Sequence, residues 1–113
     1  MIARSTLWGT IQFGKHFYRL TPLEQEAVIA HEEGHIHHRH AWKRLKWALA
    51  LRWLRHQEEL EPMLVAQELE ADRYAAERGH APGLISFLLR SPLDAKLDGY
   101  PTHRQRIGAI HVR

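Results

Sequence analysis

The stretch His31-Glu32-Glu33-Gly34-His35 constrains this chain more than any other, because its residue spacing makes chemical sense only on a helix. Two histidines four residues apart stand one turn apart on the same face, offset by about 40°. Their imidazoles can converge on one metal ion, and Glu32 beside them can reach a water on that ion. The flanking residues supply the helix. Thr21 is suited to the N-cap, Pro22 to the first helical position, and Glu24 and Glu26 to the positive end of the dipole. The helix is predicted to run to about residue 40.

With 10 histidines in 113 residues, this spacing can arise by chance, so it needs independent support. A second predicted helix, Met63 to about Arg78, supplies it. Glu61-Pro62 opens that helix and Gly79 closes it. Leu64, Glu68, Ala71 and Ala75 share one face, with Asp72 at its edge. An unpaired carboxylate on a small-residue face is expensive to bury, and a metal ion opposite it removes the cost. Glu68 therefore reads as a third ligand. Ala71 leaves room for close approach, and Asp72 is one turn on, where it can accept a hydrogen bond from a ligand histidine. His38 is excluded from the same site, since it lies roughly 5 Å further along the axis than a tetrahedron allows. An arrangement that turns the chain to a third histidine needs Gly at His38 and His at Ala41, and has neither. His37, His38 and His40 read as solvated or as supporting neighbours.

The remaining features set the frame. Residues 1–113 are sized for one domain. The absence of cysteine excludes disulfides and thiolate metal sites. A net charge of +3 is too small to argue for nucleic acid. No apolar run approaches the twenty or so residues of a membrane span, and none resembles a signal peptide, so the expectation is a soluble, cytoplasmic protein. Residues 6–20 read as strands turning at Gly14-Lys15, a small sheet that either covers the core or offers an edge to an extended peptide. The basic segment 42–56 reads as a helix of about 22 Å. Packing in the core or self-association is favoured for it over contact with a membrane surface. A short apolar helix follows at Leu84–Leu89. Thr102 caps a last helix, His103 to about Ile110, with Ile107 and Ile110 facing inward. The fold class is α+β: a small N-terminal antiparallel sheet followed by a helical region.

Taken together, His31-Glu32-x-Gly34-His35, Arg39-His40, Glu68-x-x-Ala71-Asp72 and Tyr100-Pro101-x-x-x-x-Arg106-Ile107 resemble the successive motifs of the M48-type (gluzincin) metallopeptidases. That family includes membrane CAAX-prenyl proteases. The resemblance covers about residues 20–107. It implies a zincin-like fold and a zinc metalloendopeptidase in which His31, His35 and Glu68 bind zinc. It also implies that Glu32 is the general base and that Asp72 supports a ligand histidine. The chain departs from the family in lacking membrane helices and in having Tyr100 where the last motif usually begins with His. Glu33 is often apolar in relatives. Tyr100 and Arg106, then His103, are the candidates to stabilise the oxyanion, with pairing to Asp72 the alternative for Arg106.

The expected partner is a protein or peptide substrate, and the expected state a monomer or weak homo-oligomer. The tail from Arg106 onward has two readings. Either it lies extended along the sheet edge and holds the enzyme latent, or it forms an ordinary last helix. The rival functions are an ImmA-like regulatory metallopeptidase and a non-catalytic zinc-binding interaction module. A retained Glu32 counts against the second.

Overall fold

Helix α1 (Pro22–His37) is the element on which most of the others pack, and its boundaries follow from local chemistry. The Thr21 hydroxyl accepts from the Glu24 amide while the Glu24 carboxylate accepts from the Thr21 amide, a closed capping box with Pro22 in the first turn. The computed structural model describes residues 2–54, 60–96 and 100–111. Within them, α1 is followed by α2 (His40–Leu54), α3 (Leu60–Ala75), α4 (Ala81–Leu88) and α5 (His103–His111). Two short strands, β1 (Ala3–Ser5) and β2 (Ile11–Phe13), precede it, so the protein is mostly helical with a small antiparallel sheet.

The hairpin turns elsewhere than at Gly14-Lys15. Gly14 is extended, at φ −84° and ψ 164°, and Lys15–Arg19 form a 3-10 turn that buries Phe17. The reversal lies instead at Thr6–Thr10. There the two threonine hydroxyls bond at 2.7 Å, the Thr6 amide donates to Thr10 O, and Gly9 takes a φ of 78° that other residues resist. Ala3 pairs with Phe13 and Ser5 with Ile11, and β1 packs on α1.

Small side chains set the spacing of the helices. Ala27, Ala30, Ala75 and Ala76 form a core cluster with Leu84, Leu88 and Ile110. Leu84 and Leu88 are almost wholly removed from water, worth about 1.5–3 kcal/mol each before entropy. The closest approach is at Gly34. A Cβ there would lie 2.9 Å from the Ala71 Cα and 2.9 Å from the Tyr74 Cβ, so α1 and α3 touch where the two sequence motifs sit. Any larger residue at 34 drives the helices apart.

Helix α1 stops at His37 rather than near residue 40. Arg39 adopts φ 54°, a left-handed conformation costly for a residue with a side chain, and α2 departs in a new direction from His40. Helix α3 ends at Ala75 and a wide turn, Ala76–His80, leads into α4, with Gly79 at φ 87°. In α5 the Thr102 hydroxyl accepts from the Gln105 amide, as its N-cap reading expects. Ile110 is buried and Ile107 packs beside it. Residues 103–111 are thus the ordinary last helix rather than an extended strand, and 112–113 lie outside the described residues.

The core reading of segment 42–56 does not hold for its described side chains. Trp42 is 50% exposed, Leu45 39% and Leu49 58%. Among the described residues, helix α2 is tied back through its first turns: the Trp42 indole donates to Leu7 O at 2.9 Å and meets Trp8 edge to face, and His40 and Arg44 bond to α3. Residues 55–56 of that segment lie outside the described residues. No helix among the described residues is long and apolar enough to cross a membrane.

Candidate metal centre

The inner face of α1 changes character along its length. Ala27 and Ala30 face the alanine core, whereas His31, Glu32 and His35 are buried polar groups one turn further on. The Gly34–Ala71 contact brings the carboxylate of Glu68 against them. His31 Nε2 lies 3.1 Å from His35 Nε2 and 3.1 Å from Glu68 Oε2, and His35 Nε2 lies 3.3 Å from Glu68 Oε1. Donor atoms at about 2.0–2.1 Å from a tetrahedral ion are roughly 3.3–3.4 Å apart, so these three describe one face of such a tetrahedron.

Glu32 offers a second carboxylate. His31, Glu32 and His35 each present a ligand atom within 4.8 Å of the others, a buried group that could hold a metal ion. The cleft over these residues encloses about 230 Å³ and is bordered by β1, Phe87, Arg44, Tyr100 and Arg106.

The surrounding hydrogen bonds orient the rings. His31 Nδ1 donates to Asp72 Oδ1 at 2.7 Å, which aims Nε2 at the cleft. Asp72 is only 1% exposed, and Arg106 grips it with two bonds, Nε to Oδ2 at 2.8 Å and Nη2 to Oδ1 at 2.7 Å. His35 Nδ1 meets His40 Nδ1 at 2.7 Å, and His40 Nε2 in turn meets Glu70 Oε2 at 3.1 Å. Arg44 donates to Gln67 Oε1 at 2.6 Å and approaches Glu68 Oε1 at 3.4 Å. The Gln67 amide nitrogen is a buried donor without a partner among the described residues.

These contacts set the protonation pattern. Burial works against charge on His31, but the carboxylates of Asp72 and Glu68 outweigh it and lift the imidazole to about 9. A metal ion held at this point would take the place of that proton. Burial is likewise opposed at Glu68 and Asp72, which His31, His35 and Arg106 hold well below the usual carboxylate range. Glu32 goes the other way. Burial raises it, helped by the Glu68 charge and resisted by the two imidazoles and the Ser5 backbone. Burial also holds His40 down, to about 4, against the pull of Glu70.

Of the residues singled out from sequence, His31, Glu32, His35, Glu68 and Asp72 converge, and Tyr100 stands at the rim of the cleft, half exposed. Arg106 also borders the cleft, and its Nε and Nη2 are paired with Asp72, as the alternative reading of this residue expects. His103 is elsewhere, its Nδ1 donating to Leu88 O at the end of α4. His40 is a buried neighbour of His35, as one of its two readings allowed. Its partner Glu70, and Arg44 beside Glu68, had no sequence signal, since helical periodicity cannot reach across the break at Arg39.

No family model matches the chain, and no curated protein or solved structure matches it.

Proposed function

We propose that this chain is a zinc-dependent peptidase of the M48-type (gluzincin) kind that its motifs resemble. The observation that carries the reading is the triangle of His31 Nε2, His35 Nε2 and the Glu68 carboxylate, with edges of 3.1, 3.1 and 3.3 Å. Two imidazoles and a carboxylate on one side of an open cleft suit zinc, and leave a position for water. When bound, zinc supplies a Lewis acid and lowers the pKa of that water towards roughly 7.

Glu32 is the base. Its carboxyl, raised by burial, accepts the proton of the attacking water and returns it to the leaving amine. Asp72 holds His31 in the tautomer whose Nε2 lone pair faces the cleft, and Arg106 fixes Asp72. Both are positioning residues. Tyr100, at the rim, is the donor to the developing oxyanion. Glu68 rather than Glu32 is the third ligand, because its oxygens sit at ligand-to-ligand spacing from both rings. The test is incubation with a mixed peptide library, with and without chelator, read by mass spectrometry. Cleavage that chelator stops and zinc restores supports the reading. A zinc-loaded protein that cuts nothing leaves only metal binding.

A further inference from the structure

Beside the first cluster lies a second that the proposed chemistry does not use. The left-handed kink at Arg39 folds His38 back over His40, so that the two rings stack at 5.4 Å with their planes 14° apart. Glu70, on α3, reaches both: its Oε2 is 3.4 Å from His38 Nδ1 and 3.1 Å from His40 Nε2. The three ligand atoms fall within 4.8 Å of one another. His38 and Glu70 are partly open to solvent, with side chains 35% and 43% exposed, so an ion can enter and keep water on its outer side. Two imidazoles and a carboxylate suit first-row divalent ions.

We propose that His38, His40 and Glu70 form a second divalent-metal site, and that an ion there opposes an ion at the first. The site itself stands on its own geometry; the opposition rests on the reading of His31, His35 and Glu68 as ligands. It follows from counting one proton. His35 Nδ1 and His40 Nδ1 face each other at 2.7 Å, so one of them carries a hydrogen and the other a lone pair.

With metal on His35 Nε2, the His35 proton is on Nδ1 and is donated to His40. The proton of neutral His40 is then on Nε2, donated to Glu70, and no lone pair is left there for a second ion. With metal on His40 Nε2, the pattern reverses. His40 donates from Nδ1, and His35 carries its proton on Nε2, where the first ion would bind. Holding both ions requires removing one further proton to leave an imidazolate. Each ion therefore stabilises the wrong tautomer of the other's ligand.

Zinc uptake by equilibrium dialysis, with folding checked by circular dichroism, tests both parts. The wild-type chain is expected to take one ion, then a second at roughly 10- to 100-fold higher free zinc, the usual weight of a disturbed supporting hydrogen bond. His38→Ala, at a half-exposed position, removes the second ion and leaves the first. In Glu68→Gln, which is isosteric and cripples the first site, the His38 site fills at about 10- to 100-fold lower free zinc than the wild-type second ion. Unchanged two-ion uptake in His38→Ala overturns the second site. Equal affinity of that site in wild type and Glu68→Gln overturns the opposition. A single wild-type ion lost in His38→Ala but kept in Glu68→Gln upholds the second site while sinking the proposed peptidase centre.

Discussion

The two ends of α1 each bury a carboxylate cluster, and they settle it in different ways. At the N-terminal end Glu24, 1% exposed, accepts two bonds from Arg90 at 2.6 Å, one from Ser86 at 3.0 Å, and closes the capping box with Thr21. Every oxygen has a donor, and the charge is balanced within the protein. At the C-terminal end two ring nitrogens face each other at 3.1 Å, with a carboxylate against both. Lone pairs cannot rest there together. A hydrogen on one of the two rings, or a metal ion, has to lie between them. Burial alone therefore does not mark a site. A buried polar cluster is structural when its donors and acceptors balance, and open to a ligand when its acceptors converge.

The comparison is broken most directly at the converging end. Glu32→Gln is expected to retain zinc and slow peptide hydrolysis by about 10²–10⁴-fold, the usual weight of a general base. In a His38→Ala background, where the second site is removed, His35→Ala and Glu68→Ala are expected to lose most bound zinc, counted by mass spectrometry of the metal. Full zinc content in all three variants removes the ligand assignment. Tyr100→Phe comes next, with kcat expected to fall about a hundredfold and KM to change little, because the oxyanion exists only beyond the ground state. An unaltered kcat takes that role from Tyr100.

Thermal unfolding with and without chelator separates the two ends by a different measure. Zinc at a hundred times its dissociation constant adds about 2.7 kcal/mol. Glu24→Gln should lower stability by about 1–3 kcal/mol, equally in both conditions, since its partners are all within the protein. Glu68→Gln, made in the same His38→Ala background, should abolish the difference between the conditions. A Glu24 variant that also loses the zinc effect shows that the ends are coupled. Asp72→Asn is gentler, with zinc affinity expected to fall about 10- to 100-fold and the fold retained. Zinc titration against a competing chelator reads it, and wild-type affinity takes Asp72 out of the site.

What could be read from sequence was what one helix turn can encode. The capping residues Thr21, Pro22 and Thr102, the His31–His35 pair and the Glu68–Asp72 pair all lie within four residues of their partners, and each is found where the spacing put it. Glu24 and Arg90, 66 residues apart, look like two ordinary surface charges until α4 folds against α1. The turn was misplaced because Gly14-Lys15 has the composition of a hairpin, whereas the actual turn is closed by a threonine pair around Gly9. The end of α1 was misplaced for a similar reason: Arg39 enters the left-handed region with no glycine to announce it. The apolar content of helix α2 suits core packing or self-association alike, and its described Trp and Leu side chains lie on the surface, against the first of these. Composition does not say which face a helix buries.

The smallest effect is the most specific to the balanced end. Hydrogen bonding from Arg90, opposed by burial and aided by Thr21 and Ser86, holds Glu24 at about 2 in the folded protein, against 4.5 for the free carboxyl. As pH falls, the unfolded chain takes up this proton first. The Glu24 contribution to stability is therefore complete above about 4.5 and is lost progressively as pH falls towards about 2. Glu68 and Asp72 are also held low and also drive acid unfolding, so the wild-type curve alone cannot isolate Glu24. The difference between wild type and Glu24→Gln can, because those groups are common to both. Urea unfolding of the two proteins across this range should give a stability difference that is constant above about 4.5 and shrinks below it. Chelator present throughout keeps the metal end out of the measurement. Because Arg90 is half exposed, salt should reduce the difference as well. A difference that stays level down to pH 2 means the pair does not hold the Glu24 proton off, and the balanced end is then held by packing rather than charge.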